Sequence, residues 1–314
     1  MLATRDAFGA QLVESARENN NIVAVSADLA SATRLSKFQQ EIPDRFFEVG
    51  IAECNMIGLS SGLSEYGYKV FMASFASFLT GKYDVIRVSI CYAEAPVVLV
   101  GTHTGMAIGK DGVTQMGLED ISLMRALPNM SIINPATYSE AKSVVKFLCE
   151  NDIKGPQYLR LGRQPVKDIL EVHYTKNQFE FGKALTVKEG EGLTIFSTGC
   201  TLPDVLEAAL QIENTSHQTV RVVNIHTIKP IDKETIIKCA KETKHLFSVE
   251  DHTIVGGFGS SISEVLTDAY PKKLVRIGLN DRFPESGPPK DLYEKYGLSA
   301  AQISKRILNE ILDK

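Results

Sequence analysis

Residues 97–120 read VVLVGTHTGMAIGKDGVTQMGLED. The unbroken apolar run at its start, with no polar alternation, is the pattern of a strand covered on both faces, as in a parallel sheet flanked by helices. A long loop follows, with glycines at 101, 105, 109, 112 and 117 and the polar residues His103, Asp111, Thr114 and Gln115 between them. Long structured loops are uncommon in compact domains unless they carry function. Open α/β sheets bind ligands at the carboxyl ends of their strands. The stretch therefore predicts a parallel α/β sheet with a site at its carboxyl edge.

The surrounding chain has the same grammar. Apolar strand patterns at 22–26, 69–73, 96–100, 131–133 and 157–161 alternate with helical patterns at 3–18, 53–66, 75–92 and 137–149. Over 162–192 the pattern loosens into charged and turn residues. Strand patterns then return at 193–197, 219–224, 245–250 and 274–277, with helical patterns at 202–213, 232–242, 257–269 and 299–312. The expectation is α/β with two domains, 1–170 and a smaller 193–314, joined by a linker over 171–192.

Composition narrows the function. The 314 residues are 44% hydrophobic and 23% charged, with a net charge of -4. A chain this long can bury an ample core, and a slightly acidic one lacks the basic field of a general nucleic-acid binder. No window approaches the ~20 apolar residues needed to span a bilayer, and the N-terminus, MLATRDAFGAQLVESARENN, lacks a signal-peptide core. Five scattered cysteines without a C-x-x-C pair suit a reducing compartment. A cytoplasmic protein that binds neither membrane nor nucleic acid is expected.

Several residues carry chemistry. In VGIAECNMIGLSSGL (49–63), Glu53 opens a helix, where exposed amides favour a carboxylate. Its neighbours Gly50, Ile51, Ala52, Met56, Ile57 and Gly58 suggest burial, which would demand a donor from elsewhere. Phe71, Phe75 and Phe78 fall at helical spacing, which reads as core unless one ring stands at the helix mouth to stack on a planar ligand. His103 can be a satisfied loop histidine or a site donor. Arg5 and Arg163 can be solvated charges or a clamp for phosphate or carboxylate. No His or Cys spacing suits a structural zinc site, so no metal ligand is expected in this chain. The glycine run VGGFGSSISE (255–264) lacks both dinucleotide and P-loop spacing.

Together these segments resemble the carboxy-terminal half of a transketolase, a thiamine-diphosphate enzyme. Matching stretches are ATRDAFG near the start, VSADLA at 25–30, VGIAECNMIGLSSGL at 49–63, SFASF at 74–78 and THTGMAIGKDGVTQMGLED at 102–120. They continue with LPNM at 127–130, LRLGRQ at 159–164, TIKPID at 227–232 and VEDH at 249–252 with the following GGFG. Several are shared with 1-deoxyxylulose-5-phosphate synthases and with 2-oxoacid dehydrogenase β chains. THTG, KDG and RLGRQ favour transketolase.

The resemblance implies a pyrimidine-binding domain followed by a transketolase C-terminal domain. It implies Glu53 as the carboxylate that contacts the aminopyrimidine and promotes its imino tautomer, with Phe78 stacked on that ring, Phe75 beside it and Asp28 near the cofactor. Arg5, His103 and Arg163 match positions that hold the substrate phosphate, with Ser31 one place off the usual serine. Asp111 matches a reader of a substrate hydroxyl. Gln115 stands where many microbial members have His, and Gly81 replaces an aromatic residue.

The family holds its diphosphate through Mg²⁺ with a GDG motif and a downstream Asn, and the chain contains no GDG triplet. An amino-terminal partner subunit that holds thiamine diphosphate and Mg²⁺ is therefore implied, in an α2β2 heterotetramer acting on sugar phosphates, by default pentose phosphates. Half of a related thiamine-diphosphate enzyme, or a non-catalytic assembly chain, are the alternatives.

Overall fold

The computed structural model describes residues 1–152, 154–176 and 179–312. Its strands are β1 (Ile22–Ser26), β2 (Phe46–Glu48), β3 (Lys69–Phe75), β4 (Val97–Thr102), β5 (Ser131–Ile133), β6 (Gln157–Arg160), β7 (Leu185–Lys188), β8 (Leu193–Ser197), β9 (Val220–Asn224), β10 (Thr227–Lys229), β11 (His245–Thr253) and β12 (Leu274–Leu279). They form a seven-stranded sheet in the order β10-β5-β6-β4-β3-β1-β2 and a five-stranded sheet in the order β12-β11-β8-β9-β7. Apart from antiparallel β10 and β7, the pairings are parallel. The architecture is the expected pair of α/β units.

The apolar run that decided the fold does what its pattern requires. Val97 and Leu99 of β4 pack into one apolar cluster, and Val98 and Val100 into the cluster on the opposite face. β3 repeats this, with Val70 and Met72 on one side and Phe71 and Ala73 on the other. In the first sheet β1 lies between β2 and β3, so the chain reverses direction across the sheet at β1, and the crevice this creates opens at the carboxyl ends of β1 and β3.

Three expectations change. The phenylalanine spacing is not one helical face: Phe71 is a core residue of β3, Phe75 ends that strand, and only Phe78 lies on the short helix Ala76–Thr80 that follows. Extended backbone wins there because both strand faces bury side chains. The stretch 171–192, read as a linker, carries the helix Glu171–Lys176 and the edge strand β7, which pairs with β9. Its residues 177 and 178, like 313 and 314 at the chain end, lie outside the described residues. The strand β10, inside TIKPID, crosses from the second half of the chain to pair with β5 of the first sheet, Thr227 opposite Ile133. Among the described residues, no helix is long and apolar enough to cross a membrane.

Candidate active site

The carboxyl edge of the first sheet gathers the loops after β1, β3, β4 and β6 and the start of the helix Thr4–Glu18. At its centre is His103, the first residue past β4. It is buried, and its φ of 58° lies in the left-handed region that a non-glycine residue adopts at a cost. The ring stacks on Phe75 at 3.7 Å between centroids, and Phe75 stacks on Phe78 at 5.1 Å. Arg5 Nη1 lies 3.2 Å from His103 Nε2, and Thr102 Oγ1 lies 3.0 Å from His103 Nδ1.

This geometry sets the protonation of His103. A guanidinium only donates, so Nε2 must accept, and Nδ1 carries the proton toward Thr102 Oγ1. Thr102 in turn donates to the Ser74 carbonyl at 3.3 Å. Burial, reinforced by the charges of Arg5, Arg163 and Arg34, pushes the His103 pKa down to about 3. Burial and the neighbouring Arg34 likewise lower Arg5 to about 10. Arg5 also donates to the Ala32 carbonyl at 2.9 Å, while its buried Nε has no partner among the described residues.

Arg163 is turned toward the same loop, donating to the Ile108 carbonyl at 2.6 Å and pairing with Asp111. The structure thus brings Arg5, His103, Phe75 and Phe78 into contact and joins Asp111 to Arg163. Gln115 is half-buried on the turn Val113–Gln115. Ser31 is exposed, one residue from the Ala32 carbonyl that Arg5 grips. Asp28 is exposed at φ 59°, and its amide donates to Glu48 Oε1 at 2.7 Å, the same oxygen that takes the Gly50 amide at 3.0 Å.

Glu53 departs from its expected setting. It is the first residue of the helix Glu53–Glu65, but in this chain it is half-buried, because only Met56 and Ile57 of its expected apolar surround turn inward. Ile51 is 83% exposed, and Val88 and Tyr92 on the adjoining π-helical turn Ile86–Tyr92 are 54% and 86% exposed. The carboxylate therefore stands in a half-open setting beside the exposed Ile51. Among the described residues no group of three or more His, Cys, Asp or Glu side chains could hold a metal ion.

Other residues that shape the edge are not signalled by the sequence patterns. Gly101, expected in the loop, lies within β4 and is needed for close approach: a Cβ there would sit 2.1 Å from the Tyr158 hydroxyl. That hydroxyl donates to the buried Asp120 at 2.9 Å, and Arg160 Nε does so at 2.8 Å. Arg160 also bridges the Gly117 and Asp251 carbonyls at 3.1 and 3.0 Å. Asp251 and His252 belong to VEDH, where the one local signal is a run of ionisable residues inside an apolar strand pattern.

Fold and site define a two-domain α/β chain with a cluster of arginine, histidine and phenylalanine side chains at the carboxyl edge of its first sheet. The family description "Transketolase, pyrimidine binding domain" matches residues 1–168, and "Transketolase, C-terminal domain" matches 182–303. A putative transketolase C-terminal section of Methanocaldococcus jannaschii is 40% identical over 98% of this chain and 96% of its own length. The 6-deoxy-6-sulfo-D-fructose transketolase subunit SqwH of Clostridium sp. strain MSTE9 is 34% identical over 99% of this chain and 94% of its own. A solved structure described as a split gene transketolase, inactive beta4 tetramer, superposes with a TM-score of 0.89 at 39% identity, covering 98% of both chains. The chain belongs to the transketolase family.

Proposed function

We propose that this chain is the carboxy-terminal subunit of a split, cytoplasmic transketolase that moves a two-carbon ketol unit from a ketose phosphate to an aldose phosphate. In this reading residues 1–170 form the pyrimidine-binding domain, and an amino-terminal subunit supplies the diphosphate and Mg²⁺ site in an α2β2 assembly. The observation that carries it is the convergence of Arg5, His103, Phe75 and Phe78 at one sheet edge. That the solved relative is described as inactive in its beta4 form supports the need for a second subunit. So do the exposed large apolar side chains of Ile51, Val88 and Tyr92.

The residues present fit thiamine diphosphate. Glu53 offers a carboxylate with no polar partner among the described residues, and half-buried Phe78, backed by Phe75, offers a ring face for a planar heterocycle. When bound, the cofactor supplies a carbon nucleophile and an electron sink. Glu53 hydrogen-bonds the ring nitrogen and holds the proton there. Its bond strengthens once the partner covers this side chain, because a lower local dielectric favours it. Phe78, held in place by Phe75, fixes the ring plane, with Asp28 beside the cofactor.

Arg5 and Arg163 grip the phosphate of the sugar, each charge-assisted bond contributing roughly 1.5–3 kcal/mol. Ser31 adds a hydroxyl. Neutral His103 orients Arg5 rather than adding a third cation. Asp111 and Gln115 read hydroxyls along the sugar, and Gln115 does so without a titrating proton. The Clostridium relative is named for a sulfonated ketose, and a sulfonate suits the same cationic clamp.

The test is ketol transfer between sugar phosphates by this chain, alone and mixed with an amino-terminal transketolase subunit, thiamine diphosphate and Mg²⁺. Activity is expected only in the mixture, and Glu53→Gln should lower it about 10²–10⁴-fold, the scale of general acid–base effects. Turnover by the chain alone overturns the split reading. Near-normal turnover in the variant removes Glu53 from the chemistry.

A further inference from the structure

The loop that carries His103 is built as much by the second half of the chain as by the first. Met106, Ile108, Met116 and Leu118 belong to the same apolar cluster as Leu193, Ile195 and Val249 of the second sheet. The loop closes on itself at its base, where the Gly117 amide donates to the His103 carbonyl at 3.1 Å and the Gly105 amide to the Gly117 carbonyl at 2.8 Å. Beyond this base, a single buried carboxylate from β11 reaches in. Both oxygens of Asp251 accept from the Met106 amide, at 3.0 and 3.2 Å, and the Tyr293 hydroxyl holds Asp251 Oδ2 at 2.7 Å.

Backbone shape makes this contact specific. Gly105 has φ +72°, and a Cβ there would lie 1.9 Å from Asp251 Oδ2, so the loop turns left-handed directly against the carboxylate. Two residues earlier His103 is itself held at φ 58°. A non-glycine residue in that region persists only when its surroundings over-determine it. The clasp is extended by the Thr253 amide, which donates to the Leu118 carbonyl at 2.8 Å.

We propose that Asp251, held by Tyr293, is a positioning residue: from the second domain it sets the His103–Gly117 loop and so the aim of the Arg5–His103 pair at the substrate's anionic end. The role of that pair rests on the proposed transketolase function, whereas the clasp is a property of the chain itself.

The two are separated by measuring both. In the isolated full chain, hydrogen exchange of amides 105–117 should accelerate about tenfold or more in Asp251→Ala, with the helix Phe258–Ala269 unchanged. Asp251→Asn, which can still accept from Met106 through Oδ1, should restore slow exchange. In the two-subunit complex, Asp251→Ala should raise KM for a ketose phosphate about tenfold while kcat changes less than about threefold, and Asp251→Asn should recover it. Unchanged loop exchange in Asp251→Ala overturns the proposal. Faster exchange with unaltered KM upholds the clasp and overturns the assignment of the Arg5–His103 pair to the anion. Should Asp251→Ala fail to fold, Tyr293→Phe carries the test, and loop exchange equal to wild type in that variant overturns the proposal.

Discussion

His103 shows how far a single residue is decided by partners distant in sequence. Its place in a glycine-rich loop after a strand is legible in THTG. Its tautomer is not, because it depends on Arg5, 98 residues away, and on a relay through Thr102 to Ser74. Neutral and accepting, it turns Arg5 into a directed donor, and in the proposed function it leaves the anion-binding charge to the guanidinium groups. Arg163→Ala in the two-subunit complex should therefore raise KM about tenfold or more for phosphorylated sugars, with a smaller effect on unphosphorylated ones. Equal effects on both would place the phosphate elsewhere. Glu53 illustrates the converse. Its position at a helix start is legible in the sequence, whereas its half-buried setting follows from which of its neighbours turn inward.

At the scale of elements, β11 does three jobs with three consecutive side chains. Glu250 accepts the Phe258 and Gly259 amides at 2.6 and 2.8 Å, anchoring the start of the helix Phe258–Ala269. Asp251 clasps the His103 loop. His252 keeps the helix Asp120–Ala126 in place: its Nδ1 donates to the Thr253 carbonyl at 2.7 Å, and its Nε2 accepts the Ile121 amide at 3.1 Å. Those two bonds require a neutral ring, in keeping with a pKa that burial lowers to about 4.

Burial raises Glu250 to about 7 in spite of its two amide donors. The folded chain thus holds this proton at pH values where the unfolded chain has released it, and the resulting stabilisation is full below about 4.5 and lost as pH rises through about 7. Thermal melts of wild type and Glu250→Gln should show wild type gaining stability relative to the variant as pH falls from about 8 to about 5. A difference that does not change with pH would mean that Glu250 is ionised throughout.

For the whole molecule, the two sheets interlock rather than sit side by side. The strand β10 extends the first sheet. Arg160, at the end of β6, bonds Asp120 of the first half and the Asp251 carbonyl of the second. Glu140 accepts from the Ala136 amide and Tyr174 on one side and from Asn224 of β9 on the other. Removing one partner of a buried ion pair leaves the other uncompensated, at a cost of about 3–5 kcal/mol. Asp120→Ala should lose that much in urea denaturation, since Arg160 and Tyr158 both lose their acceptor. A loss below about 1 kcal/mol would mean that water or another carbonyl takes its place.

By itself the sequence determined the class of fold and the two-unit order, and it pointed to the carboxyl edge of the first sheet as the place for a site. Unbroken apolar strands, helical periodicity and a glycine-rich loop after β4 are local patterns, and local patterns follow from backbone sterics and burial. Tertiary structure alone decided which of those side chains meet. The stacking of Phe75 on His103, the acceptor role of His103, the bond from the Met106 amide to Asp251 and the crossing of β10 each join segments far apart along the chain. No local period records such contacts, because they depend on how the loops and helices close over the first sheet and on how the two sheets meet.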